Sequence, residues 1–147
     1  MTGDVVNCET YVNLATDNDV LYQQDKLPFT CSPMGVAQTG TITEIILSKN
    51  STSGWKQIVK VYFKVENKII VNDLIWTDKD MRMRATLINM IVYPSSQARL
   101  EMEINPSDVK CSDKGDYRCL IKGTSGEISL DSKSTTKTVG MRGKQKL

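Results

Sequence analysis

Asp113-Lys114-Gly115-Asp116-Tyr117-Arg118-Cys119 carries a turn into a strand, and the rest of the chain is read outward from it. Gly115 permits a tight turn in which a side chain would collide with its surroundings. Beyond the turn Tyr117, Cys119 and Ile121 recur with period two, the spacing of a strand with one face buried. Upstream, Leu100, Met102 and Ile104 alternate with Arg99, Glu101 and Glu103 in the same way. Further back, Leu27, Phe29 and Cys31 repeat it after a polar stretch, Thr16–Asp25, that reads as a loop or edge.

Between and beyond these lie more runs rich in β-branched and aromatic residues. They are Ile42–Leu47, Trp55–Val65, Lys68–Trp76, Arg84–Tyr93, Ile128–Leu130 and Thr135–Met141, separated by Gly, Pro, Asn and Ser. No window sustains a helical period with caps, so the pattern predicts an all-β sandwich or barrel. A chain of 147 residues, 39% hydrophobic and 24% charged, has the size and composition of one domain around one core. No stretch reaches the roughly 18 unbroken apolar residues of a membrane helix, so this segment is not expected to insert into a membrane. The net charge of +2 is spread along the sequence, apart from a basic tail, and points to no nucleic-acid partner.

The D-x-G-x-Y-x-C stretch, with strand-like runs before it, resembles the signature of the immunoglobulin superfamily. The resemblance implies an immunoglobulin-like β-sandwich of two antiparallel sheets, covering residues 1–140, with 141–147 as tail or linker. It gives each residue of the motif a mechanical role. Tyr117 buries its ring and returns its hydroxyl to the upstream backbone, the tyrosine corner. Cys119 pairs across the sheets with Cys31. Asp113 forms an ion pair at the start of strand D, with Arg84, or with Arg82 if the register is shifted by two. The interval between Cys31 and Cys119 holds enough runs for strands C, C′, C″, D and E, so the layout is of the variable type (V-type). The chain departs from the family at strand C, where a tryptophan usually packs on the disulfide. Here Ile45 or Leu47 takes that place and Trp55 opens C′.

The four cysteines, Cys8, Cys31, Cys111 and Cys119, contain no C-x-x-C pair, and an even set without one reads as disulfides from an oxidising compartment. Cys8 and Cys111, extra to the family's pair, are expected to bridge the N-terminal segment to the corner; the alternative is that one or both stay free. Asn50-Ser51-Thr52 is an acceptor sequence for an N-linked glycan, whereas proline blocks Asn105-Pro106-Ser107. Together these place the protein outside the cell, secreted or as the ectodomain of a surface protein.

Ile42–Lys49, Leu100–Pro106 and the corner motif further resemble the immunoglobulin domains of molluscan fibrinogen-related proteins, secreted immune lectins. That resemblance implies a recognition module that binds non-self surfaces or assembles with other subunits. The alternative is the outer domain of a cell-surface adhesion or self-recognition receptor acting by homophilic binding. No enzyme is expected: there is no histidine to activate a serine, no phosphate-binding glycine loop, and Asp78, Asp80, Asp113 and Asp116 read as turn residues. No cofactor or metal is expected either. The partner is expected to be a protein or glycan on another surface, or a second copy. It is expected to bind on the sheet face of strands C, C′, F and G, with Trp55, Lys60, Tyr62 and Lys64 as contacts and Lys49 and Lys56 adding basic charge. The B–C loop, Ser32–Gly40, is small and polar and suits adaptable contacts, whereas the F–G loop, Lys122–Glu127, is too short and glycine-rich to supply large anchors.

Overall fold

The computed structural model describes residues 11–17, 19–34, 40–125, 128–134 and 136–143. Two sheets pack face to face. One has the order β1 (Tyr11–Thr16), β3 (Leu27–Met34), β8 (Arg99–Ile104) and β7 (Ala85–Ile91), which corresponds to strands A, B, E and D. The other runs β2 (Asp19–Leu21), β11 (Lys137–Arg142), β9 (Gly115–Ser125), β4 (Gly40–Ser51), β5 (Gly54–Glu66) and β6 (Ile69–Trp76), with β10 (Ile128–Lys133) also on β9. These are strands A′, G, F, C, C′ and C″, with G divided into two pieces. The division is stitched at its break, where Ser134 N–H donates to the Cys119 carbonyl at 2.7 Å and Cys119 N–H donates to Ser134 Oγ at 2.8 Å.

Alternation puts the apolar residues between the sheets. Leu27, Phe29 and Cys31 lie opposite Ile104, Met102 and Leu100 in the first sheet. Ile45 and Leu47 lie opposite Ile121 and Cys119, and on their other side opposite Val61 and Val59. All ten are buried. The Cys31–Cys119 disulfide joins the layers with Cα atoms 5.9 Å apart, closing a separation of 88 residues. Constraining the unfolded chain over such a loop is worth about 4–5 kcal/mol in the chain-entropy account. Leu47, directly across from Cys119, occupies the level of the disulfide where a tryptophan was missed in the sequence.

Several expectations are corrected. The sheets are antiparallel except for one pair: β2 runs parallel to β11, with Val20 beside Met141, so the polar Thr16–Asp25 stretch supplies a short strand. The same pairing carries β11 to Arg142, two residues into the segment expected to be tail. Strand D begins at Ala85, because Lys79–Arg84 forms a helical turn, α1. Asp78 caps it by accepting from Met81 N–H at 3.0 Å, and Met81 plugs the core. One and a half turns are too short to show a helical period, which is why the pattern reads as strand. β9 continues to Ser125, so most of the expected F–G loop is hairpin strand.

The corner motif closes the bottom of the sandwich. Gly115 has φ of +141°, and a Cβ there would stand 3.0 Å from Lys49 Cε. Tyr117 donates its hydroxyl to the Asp113 carbonyl at 2.6 Å, and its ring packs on Phe29 with centroids 4.7 Å apart. Arg84, the last residue of α1, makes a two-pronged contact with the Asp113 carboxylate, both bonds 2.7 Å. The carboxylate also accepts from Lys110 N–H at 2.8 Å. Arg84 reaches Asp80 and the Asp108 carbonyl as well, while Arg82 is exposed. Lys49 lies inward instead of on the outer face: its ammonium donates to the Ser112 carbonyl and sits 5.5 Å from the Tyr117 ring centre. Cys111 is an exposed free thiol, and its expected partner Cys8 lies outside the described residues.

Two outcomes follow for stability. Asp113→Ala leaves the nearly buried Arg84 guanidinium without its main partner, and urea unfolding should show a loss of about 3–5 kcal/mol. Burial, then the negative charge of Asp113, pushes the Tyr117 phenol well above its ordinary value. The folded protein therefore keeps that proton when the unfolded chain loses it. The resulting stability is complete below about pH 10 and declines as the pH rises further. Burial lowers the Lys49 ammonium, which acts with the opposite sign just below its ordinary value. Melting temperatures between pH 8 and pH 11 should therefore fall less steeply for Tyr117→Phe than for the natural sequence; equal slopes would show that Tyr117 does not set the decline.

Candidate binding face

The outer face of the larger sheet follows from the same alternation that fills the core. With Ile45, Leu47, Val59, Val61, Cys119 and Ile121 turned inward, Glu44, Ile46, Lys60, Tyr62, Arg118 and Leu120 turn outward. β6 adds Asp73 beside Tyr62 and Ile75 beside Lys60. One row across the sheet thus reads Leu120, Ile46, Lys60, Ile75, and the next reads Lys122, Glu44, Tyr62, Asp73. Trp55, Lys60, Tyr62 and Lys64, the residues expected as contacts, all lie on this face, with Trp55 across from Asn50 at its lower end.

The face is not the basic surface expected from its lysines. Lys60 pairs with Glu44 at 3.4 Å, and Lys64 pairs with Glu66 at 2.8 Å and Asp73 at 3.2 Å. Lys56 is exposed but falls at the hairpin end, opposite the inward Lys49. Arg118 stacks on Trp55 with its guanidinium carbon 4.1 Å from the ring centre. What remains open is a strip of Tyr62 and Ile75 flanked by paired charges, with Ile75 46% exposed and Ile46 and Leu120 beneath.

Two features at the sheet's margin were not recognised in the sequence. The β5–β6 hairpin turns at Asn67 and Lys68, both with positive φ, the backbone of a two-residue hairpin loop. Val65, Ile69 and Ile70 beside it are 64%, 65% and 40% exposed, an apolar tip beyond the reach of the core. The signal was present in Ile69-Ile70-Val71, since alternation cannot bury three consecutive apolar residues on one face. The second feature is the protection of β6 as an edge strand. Asn72 accepts from Val92 and Tyr93 N–H and donates to the Tyr93 carbonyl, each at 3.0 Å, fastening the chain after β7 to this edge. Asp73 turns back on its own strand and accepts from Leu74 N–H at 2.8 Å. That bond, with Lys64, holds the Asp73 carboxyl below the usual range.

Among the described residues no helix is long and apolar enough to cross a membrane. No family model matches this chain, and no curated protein matches it. Among solved structures 748 chains match, so the architecture is widespread and by itself selects no function. One of them, a structure of murine CRIg, aligns with 92% of this chain and 99% of its own, with a TM-score of 0.56 at 11% identity. The fold is an immunoglobulin-like β-sandwich.

Asp73 blocks a backbone donor that a second strand would need, on an edge otherwise rich in Ile and Val. Sedimentation velocity of Asp73→Val is expected to show more self-association than the natural chain as concentration rises. Asp73→Asn keeps an oxygen for Leu74 N–H and should behave as the natural chain does. If the valine variant stays unchanged while folded, the carboxylate does not guard this edge.

Proposed function

We propose that this domain is the non-catalytic recognition module of an extracellular immune protein and that it binds through the outer face of the larger sheet. The observation that carries the reading is the strip of Tyr62 and Ile75 among charges already paired within the domain. A partner that covers it removes apolar surface from water and strands no lysine, the arrangement of an apolar interface centre with a polar rim. The partner is a protein or glycan on another surface. The interlayer disulfide supports an oxidising compartment, hence a secreted protein or a surface ectodomain. Assignment to an invertebrate-type immune protein rests on the resemblance of Ile42–Lys49 and Leu100–Pro106 to molluscan fibrinogen-related proteins.

A second reading, homophilic adhesion, is favoured by the mixed signs on the face. Lys60 beside Glu44 and Lys64 beside Asp73 offer a two-fold related copy both charges to meet. Lys60→Glu with Ile75→Asp alters the face; Thr124 and Ser125 replacements alter the far end of β9. Gly123 is left in place, because a Cβ there would stand 2.4 Å from the Thr41 carbonyl oxygen. The face variant should weaken capture of intact microbial cells, or self-association measured by sedimentation, by about tenfold or more, equivalent to at least about 1.4 kcal/mol. Loss of self-association alone selects the adhesion reading. Loss with the β9-end variant alone would show that the sheet face is not the contact.

A further inference from the structure

The Asn50-Ser51-Thr52 turn divides its side chains by role. Ser51 builds the turn: its hydroxyl donates to the Gly54 carbonyl at 2.7 Å and accepts from Ser53 N–H at 3.3 Å. Asn50 and Thr52 take no part in it. Both are exposed, and neither side chain has a hydrogen-bond partner among the described residues. The carboxamide that would receive a sugar and the hydroxyl two residues on that marks it as an acceptor are therefore free together, at the tip of an ordered hairpin.

The surroundings of Asn50 add a second, independent observation. Asn50 on β4 lies directly across from Trp55 on β5. Arg118, on β9 at the other side of β4, stacks on the Trp55 ring at 4.1 Å. Neighbouring strands stand about 4.8 Å apart, so the guanidinium and the indole meet over β4, on the face that also carries Asn50. A large flat ring, partly exposed and fixed by Arg118 on one side, thus stands next to the free carboxamide.

We propose that Asn50 carries an N-linked glycan whose first sugar rests against Trp55, making Trp55 a platform for the domain's own glycan instead of a ligand contact. The transfer is redox-neutral. The Asn50 amide nitrogen bonds to the anomeric carbon of a lipid-pyrophosphate-linked oligosaccharide and loses a proton to the transferase. The carbon–oxygen bond to pyrophosphate breaks, and the lipid pyrophosphate leaves. The apolar C–H face of the sugar then covers the indole. Taken with the proposed contact face, on which this last consequence rests, the glycan shields the lower end of the sheet and confines a partner to the Lys60, Tyr62 and Ile75 end.

The test expresses the full chain behind a cleavable leader in a eukaryotic secretory host. Intact mass before and after treatment with a peptide N-glycosidase should show a glycan, and peptide mapping should place it at Asn50. It should vanish in Asn50→Gln and in Thr52→Ala. Enzymatic trimming should lower the melting temperature of the natural chain and leave that of Trp55→Leu unchanged, with Trp55→Phe in between. A secreted chain unmodified at Asn50 overturns the proposal. A glycan whose removal shifts the natural chain and Trp55→Leu equally overturns the role of Trp55. Self-association of the Lys60 and Ile75 variant reads the contact face separately, so failure of the glycan and failure of that face give different results.

Discussion

Asp113 gathers three separate parts of the chain at one buried residue. Its carboxylate takes both prongs of Arg84 from the end of α1 and the backbone N–H of Lys110 from the turn before β9. Its carbonyl takes the hydroxyl of Tyr117 from inside β9. Arg84 leads into a strand of the smaller sheet and Tyr117 belongs to the larger one, so a single residue sets how the layers meet at the bottom. A carboxylate in that position is costly unless every lone pair is engaged and a charge of opposite sign lies against it. Gly115 serves the same construction, because the turn that brings Asp113 back under Tyr117 holds its backbone at φ +141°, a conformation that residues with a Cβ rarely adopt.

From that anchor the register of β9 follows, and from the register the face presented to solvent. Once Tyr117 is directed inward, Cys119 and Ile121 point inward and Arg118 and Leu120 outward, and β4 and β5 take their facing from β9. The outer face then holds charged pairs that neutralise one another around a small apolar strip. Such a surface loses little on being covered, since its polar groups already have partners at its rim. The free edge of the same sheet is treated differently. Asp73 occupies the Leu74 N–H there and Asn72 ties the chain after β7 to the strand, a protection that the outer face does not have.

Sulfur and side-chain chemistry divide along similar lines. The Cys31–Cys119 bridge lies in the core between layers and contributes by restricting the unfolded chain. Cys111 stands exposed on the turn beside the corner with a free thiol. Lys49 is a charged residue drawn inward, its ammonium held by the Ser112 carbonyl and the face of Tyr117. It belongs to the corner, and not to any surface that a partner would meet.

Much of this was legible in the sequence because its causes are local. Period-two runs such as Leu100, Met102 and Ile104 show a buried face whatever lies opposite, and the spacing of Gly115, Tyr117 and Cys119 describes one turn and one strand. The two-layer sandwich and the outward placement of Lys60, Tyr62 and Lys64 follow from such patterns. What tertiary structure alone decided depends on residues distant in the chain. The α1 turn, too short to show a period, exists because Asp78 caps it and Met81 finds a gap in the core. β2 and the end of β11 are strands only by virtue of each other. Lys60 and Lys64 lose their basic character to Glu44 and Asp73 on neighbouring strands, and Lys49 turns inward because the corner offers its ammonium a carbonyl and a ring. Alternation within a strand is written in consecutive residues, whereas the partner of a charge, an edge or a short helix is set by which strand lies beside it, and that is known only once the sheets have assembled.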